Sequence, residues 1–456
     1  MTHYLRVAVI PLYLLLCLVL GGASGGGILI NMVLQLLAIP LILWSLLARR
    51  GSPLPSAGRQ LLVLLFLGVL LVLLQLVPLP PSVWTQLPGR EPFAEGFRLL
   101  GQPLPWAPLS LAPHRTISSA LWTLPAVAVF LGMLRLGNFK PSWLAWTLVI
   151  VTSVAVAIGA LQVSGGLDSP LYFYQIANRG LATGFFANSN NMAEMLVVTI
   201  PFLGALYVGA QRGQQSLQKS SGLFVVLAGA LSVLLVGIAV NGSLAGIGLA
   251  VPASAATALM IVFRRRALPL WAVGVGALLL AASAVAVLNV PSQSSLMAEE
   301  ATRGEESRLS QLKSSLAAAK DFMPVGSGIG TFPEIYPRYE DPAKVTRWYL
   351  NHVHNDYVEL GMETGLPGMA LILLFLLWWG WRAFAIWRAE EPDHFARAAT
   401  IASAVMLAHS LVEFPLRTAA ISAMFAVCCA LMAEARSRTR DRKREEKGRA
   451  RHLSAD

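Results

Sequence analysis

Stretches of about twenty apolar residues recur along nearly the whole chain, and no other feature limits its fold as strongly. They fall at 7–23, 28–47, 60–78, 116–134, 142–163, 190–210, 223–240, 245–263, 267–289, 357–380, 397–412 and 418–434. Each is near the length that an α-helix needs to cross the hydrocarbon core of a bilayer. In that core every backbone N–H and C=O must find a partner within the protein, which favours helices over open strands. Of 456 residues 55% are hydrophobic and 13% charged, roughly half the charge of a soluble domain. The expected fold is an all-α polytopic membrane protein with about twelve transmembrane helices, and no internal repeat marks a solenoid.

The formal charge of +11 does not point to nucleic acid. It gathers in short loops and in the tail RSRTRDRKREEKGRARH (436–452), as expected for cytoplasmic anchors facing anionic lipid. Arg49, Arg50 and Arg59, then Arg135 and Lys140, Arg212 and Lys219, Arg264 to Arg266, and Arg382 and Arg388 occupy alternate loops. With an even number of spans these loops, the tail and both termini share the cytoplasmic side. The first run is read as a retained span rather than a cleaved signal. Cys17, Cys428 and Cys429 lie inside apolar runs, where neither a metal set nor a disulfide framework is expected.

Three segments remain for the other face: 79–115, rich in proline and tryptophan, 164–189, and the large loop 290–356 between spans nine and ten. Its stretch EEATRGEESRLSQLKSSLAAAKDF reads as an amphipathic helix, followed by a turn region punctuated by glycine and proline. GSGIG at 326–330 lacks the lysine and strand context of a nucleotide loop.

Where that loop re-enters the membrane stands NHVHNDYVELGMETGLPGM, 351–369. Asn351 or Asn355 is the expected cap, with Asp356 at the positive helix end. Asn355, Glu359 and Glu363 fall on one helical stripe. Gly361, Gly365 and Gly368 line the next, read as a surface for close helix approach. Carboxylates at this depth are costly unless paired or hydrated; the competing reading is a capped helix with its acids in water. His354 can accept a proton at neutral pH. A zinc site at HVH lacks ligands of suitable spacing, so no metal and no cofactor are expected.

Arg115, Arg179, Arg303, Arg308, Arg338, Arg347 and Arg417 add positive charge to the same face. Their planar forks suit a phosphate-bearing ligand, against a plain reading of salt bridges with Glu299, Glu300, Glu305 and Glu306. AHSLVEFPLRT (408–418) places His409, Glu413 and Arg417 four residues apart, as on one helix face.

These residues resemble a known family. His354-Asn355, nine residues, then Gly365-Leu366-Pro367-Gly368 is similar to the His-Asn-x9-Gly-x-x-Gly signature of the O-antigen ligase and polymerase superfamily. GFFANSNNMAEMLVVTIP (184–201) and SRLSQLKSSLAAAKDFMPVGSGIGTF (307–332) resemble its span-opening segment and its large periplasmic loop. The resemblance implies a GT-C-like, metal-independent glycosyltransferase of the bacterial inner membrane, working at the periplasmic face. Its donor would be an undecaprenyl-diphosphate-linked glycan and its acceptor another glycan or lipid A–core. By position, His354 would deprotonate the acceptor, with Glu363 as a second catalytic group. Arg308 or Arg303 would hold the diphosphate, and Asn355, Glu359 and His409 would support. One departure stands out: Leu244 occupies the place of an expected arginine, for which Arg179 or Arg417 would substitute. A division into 1–140, a ligase-like core at 141–434 and a tail at 435–456 follows. The alternative is a polysaccharide or lipid-linked oligosaccharide transporter, which would place charge at the bilayer midplane and repeat broken helices in two halves.

Overall fold

The computed structural model describes residues 2–24, 28–48, 53–137, 139–212, 217–271, 274, 278, 301–342, 345 and 350–435. The side chains of 2–3, 28, 212, 217–220 and 301–309 lie outside that description. The helices of the bundle are α1 (Thr2–Leu20), α2 (Ile28–Leu47), α3 (Ser56–Gln75), α6 and α7 (Pro113–Trp122 and Leu124–Leu136), α8 (Pro141–Ser164), α9 (Ser189–Arg212), α10 (Leu217–Asn241) and α11 (Leu244–Val262). Helices α14 (Asp356–Trp387), α15 (His394–His409) and α16 (Ala419–Glu434) complete the set. The short helices α4 (Pro81–Trp84), α5 (Glu91–Leu99) and α13 (Phe332–Ile335) and the longer α12 (Ala301–Phe322) belong to the loops. One two-stranded ribbon joins β1 (Pro78–Leu79) to β2 (Ala107–Pro108) in antiparallel register.

Eight described helices are long and apolar enough to cross a membrane, and Tyr4–Leu20 and Ala419–Glu434 are shorter apolar ones. The expected span at 267–289 falls almost wholly outside the described residues. Proline lies inside α1, α2, α9 and α11, at Pro11, Pro40, Pro201 and Pro252. Packed neighbours make that tolerable in membrane helices.

Helix α9 runs through the centre, against α8, α10, α11 and α15. Its inward residues Met192, Ala193, Leu196, Val197 and Val198 are buried. Small residues line its partner α15 at Ala396, Ala398, Ala399 and Ala402, and also α16, which packs against α7 and α15, at Ala420, Ala423 and Ala430, all fully buried. Lipid offers no hydrophobic drive between helices, so packing at close range holds such a bundle together.

Backbone contacts separate two ends. At one, Arg397 donates to the Phe263, Arg266 and Trp387 carbonyls and Arg135 to those of Ser45, Leu46 and Ala48. At the other, Ala187 N–H bonds Gly22 O and Ala420 N–H bonds Gly21 O. The loops 76–112 and, among the described residues, 323–342 and 350–355 gather at this second end. They share a small core in which Phe322, Phe332 and Tyr336 are buried, each stabilising the loop by about 2 kcal/mol. Arg90, 1% exposed, ties the loops together through the Pro88, Leu109 and Gly326 carbonyls. Burial pushes its pKa down to about 10.

One expectation is corrected here. Gly361, Gly365 and Gly368 do not form a helix-packing stripe, because α14 is broken at Gly365, with φ 60° and ψ −153°. The turn 324–330 lies across the break and satisfies the freed backbone. Leu366 N–H donates to Pro324 O at 2.8 Å, while Ser327 and Gly328 N–H donate to Met362 O and Glu363 O at 3.0 and 2.9 Å. A Cβ at Gly365 would stand 2.1 Å from Pro324 O. Pro367, lacking an N–H, restarts the helix at its first turn at no cost in hydrogen bonds.

Gly365→Ala is therefore expected to cost about 3 kcal/mol or more, read as a lower thermal midpoint of the detergent-purified protein. Gly361→Ala, whose Cβ would meet only Met369 at 3.8 Å or beyond, is the matched control and should leave the midpoint unchanged. Equal midpoints for the two variants would contradict the broken-helix account.

Candidate functional site

Among the helices that begin at the end that gathers the loops are α9 at Ser189, α11 at Leu244, α14 at Asp356 and α16 at Ala419. Their positive dipole ends therefore share one region, which favours negative charge there. The helix entries are built from side-chain caps. Asn355 accepts from Tyr357 N–H and Val358 N–H, Ser243 from Gly246 N–H, and Thr418 from Ile421 N–H. Asn355 also donates to Leu411 O at 2.8 Å, fastening the start of α14 to the turn after α15.

His354 immediately precedes that cap with φ +57°, the one positive φ outside glycine among the described residues. Such a conformation is strained for a side chain with a Cβ, though histidine tolerates it better than most. Its Nδ1 lies 3.1 Å from Glu413 Oε2, and its side chain keeps 26% exposure while Glu413 keeps 2%. Glu413 is fixed from a second side by Asn190 Nδ2 at 2.7 Å and more loosely by Asn188 Nδ2 at 3.5 Å. Asn190 is in turn held by Ser243 Oγ at 2.8 Å. A carboxylate at Nδ1 favours the tautomer with its proton there, which directs the Nε2 lone pair away from Glu413.

His352 makes a parallel pair with Glu359, Nδ1 to Oε1 at 2.8 Å. The Phe414 ring packs beside both imidazoles, with centroids at 4.5 and 4.9 Å. Glu359 is further committed to Val353 N–H at 2.8 Å and to Arg417 at 3.2 Å. His352 thus belongs to a closed network, and His354 to the more open one.

Arg417 stands at the centre of the closed network. Its guanidinium reaches Asp356 at 3.4 Å, Glu359 at 3.2 Å and Glu363 at 3.3 Å, on carboxylates almost wholly shielded from solvent. Burial opposes its charge, but the three carboxylates outweigh burial and hold its pKa above the ordinary arginine value. Glu363 also accepts Gly330 N–H at 2.8 Å, and its carbonyl accepts Gln75 Nε2 at 3.0 Å. Gln75 Oε1 accepts Ile329 N–H at 2.9 Å. The amides of the GSGIG turn are therefore spent on the protein itself.

The sequence-derived candidates divide accordingly. His354, Asn355, Glu359, Glu363, His409 and Arg417 converge at one end of the bundle. His409, Glu413 and Arg417 do so without sharing a helix face, because α15 stops at His409 and the next residues turn back. Arg179 stands apart: it is exposed, stacks over Tyr172 at 5.5 Å and donates to Leu167 O at 3.2 Å. Arg303 and Arg308 lie on α12, with side chains outside the described ones. Arg115 pairs with Glu334 at 3.0 Å and Arg338 packs over Phe93, while Arg347 falls outside the described residues. Sequence reasoning missed Gln75 and Ser243, whose partners lie far away along the chain, and met Asn190 only as part of the segment 184–201, without its partner Glu413.

A bundle of apolar helices with a titratable, hydrogen-bonded cluster built into one end defines a polytopic membrane protein. Residues 228–373 match the O-antigen ligase family, so this part of the chain is similar to that family. The matched segment carries His354, Asn355, Glu359 and Glu363 and leaves Glu413 and Arg417 beyond its end. No curated protein matches the chain.

Proposed function

We propose that the protein is an inner-membrane glycosyltransferase that moves glycan from an undecaprenyl-diphosphate carrier to a glycan or lipid A–core hydroxyl at the periplasmic face. The observation that carries this reading is His354, partly exposed and held by Glu413 at the mouth of the site. In the proposed step His354 Nε2 takes the acceptor proton and the acceptor oxygen bonds to the anomeric carbon. The bond from that carbon to the phosphate oxygen breaks in the same displacement, and its electron pair leaves with the diphosphate. Glu413 balances the imidazolium that forms. Because the diphosphate is a good leaving group, neither metal nor nucleotide is required of the site. The positive helix ends favour an anionic donor, and Arg303 or Arg308 on α12 is its proposed partner. The concentration of basic residues at the opposite end, including Arg135, Arg382 and Arg397, supports a cytoplasmic assignment for that end.

In this reading Arg417 is not the missing second phosphate arginine, since its charge is already answered three times over. Glu363 tethers the turn 324–330 rather than meeting substrate. The polar residues collect at one end rather than at mid-bundle, which disfavours the transporter alternative.

Glycan profiling of a deletion strain tests the reading. Loss of a polymerase leaves single carrier-linked repeats, and loss of a ligase leaves full-length polymer on the carrier. Complementation restores the wild-type profile in either case. The absence of a second phosphate arginine at Leu244 leans toward the polymerase outcome. An unchanged profile, or carrier-linked glycan stranded on the cytoplasmic side, would sink the glycosyltransferase assignment.

A further inference from the structure

Beneath the pair of His354 and Glu413 lies a second acid–imidazole contact that the proposed step leaves unused. His409 Nδ1 stands 2.6 Å from Glu194 Oε2, with side chains 1% and 0% exposed. Within the protein, and among the described residues, neither Glu194 Oε1 nor His409 Nε2 has a hydrogen-bond partner. A buried pair that leaves two polar atoms unmatched is a poor way to gain stability, and apolar residues of similar size often serve better. Its position supplies another reason for it. Asn190 and Glu194 are one helical turn apart on α9 and face the same side. Their respective partners, Glu413 and His409, lie four residues apart, with Glu413 N–H donating to His409 O at 3.0 Å. The two elements are thus joined by two rungs: Asn190 to Glu413 at 2.7 Å, and Glu194 to His409 below it.

We propose that the Glu194–His409 bond is a positioning device for Glu413, locking the turn 409–413 against α9 so that Glu413 meets His354 and Asn190 together. Both residues are positioning residues, since each acts on the reaction only through Glu413. The proposal rests on the glycosyltransferase reading of the site. With the lower rung cut, the turn after α15 keeps its backbone bonds but loses its lateral register. Glu413 then no longer orients the imidazole, while the surfaces that bind donor and acceptor are untouched.

The test uses the full-length protein in detergent or liposomes, with lipid-linked glycan extracted from the deletion strain as donor. Glu194→Ala and His409→Ala should each lower kcat about tenfold with KM within twofold, the signature of a lost transition-state contribution. The double variant should be no worse than either single one, and Glu194→Ala should add nothing on a Glu413→Gln background. The paired replacement Glu194→Met with His409→Leu guards against misfolding, because it removes both polar partners together. It should accumulate and melt like wild type yet show the same tenfold loss. A folded paired variant with wild-type kcat overturns the proposal, as does a rise in KM at constant kcat. His354→Ala runs alongside in the same assay. If it is inactive, the outcome for the pair stands by itself; if it is active, the site reading fails and takes this proposal with it.

Discussion

Arg417→Met is expected to cost the protein about 4 kcal/mol of stability, enough to remove most of it from the membrane. The guanidinium is the only cation among the described residues within ion-pair reach of Asp356 and Glu363, and it shares Glu359 with His352. Without it, three shielded carboxylates face one another, and at least some must take up protons or draw in water. Both routes loosen the link between α14 and the turn that follows α15. Arg417→Lys should recover only part of the loss, since a point charge cannot reach three acceptors as a planar fork does. Adding Glu363→Gln to Arg417→Met should recover part as well, by removing one of the opposed charges. The measurement is thermal unfolding of the purified variants at matched detergent, together with their membrane levels. The competing role, a ligand for the donor diphosphate, predicts the reverse pattern: normal stability with a raised KM for donor. That pattern would show the carboxylates to be balanced some other way and would return Arg417 to the diphosphate.

How much of this could be read in the sequence depends on how local each signal is. The spans were legible because a bilayer demands a long apolar run, and a run is a one-dimensional property. The His354-Asn355 stretch was legible because polar residues at a span mouth stand out against leucine and alanine. His409, Glu413 and Arg417 lie at the same end of the bundle, but not on one helix face. Their spacing suggests a helix face, whereas the chain turns at Ser410 and folds Glu413 and Arg417 back toward α14. Gly365 was read as a packing notch. The neighbouring Pro367, placed where a helix starts, was the local signal for a break, and only the turn 324–330 lying across it explains why glycine is needed. Gln75 left no trace, because its partner Glu363 is more than two hundred positions away, and Asn190 stood out only as part of the segment 184–201, with no hint of its partner Glu413. Contacts of that separation belong to the topology and not to any window of sequence. The closed network around Arg417 was hidden for the same reason, so an arginine already neutralised looked available for phosphate.

His354→Ala is expected to lower transfer by 10²- to 10⁴-fold, the usual range for loss of a general base, without loss of protein from the membrane. Folding should survive because His354 is partly exposed and its φ of +57° is a strain that the native chain already bears. Alanine removes the imidazole but keeps the strain, whereas His354→Gly removes both and should melt slightly higher than wild type. His354→Asn also tolerates that backbone conformation, so it separates the base from the turn. All three variants should be equally inactive, which a merely conformational role does not produce: that role predicts recovery by glycine or asparagine. Added imidazole should restore part of the activity of His354→Gly, where a gap is open beside Glu413, and none to Glu413→Gln, where the native ring remains. His352 provides the internal contrast, since its partner Glu359 is bound up with Arg417. His352→Ala should therefore lower stability more than it lowers the turnover of the protein that remains folded. If His354→Ala keeps turnover within threefold of wild type while His352→Ala abolishes it, the two histidines exchange roles. The acceptor would then have to approach from the Glu359 side of Phe414.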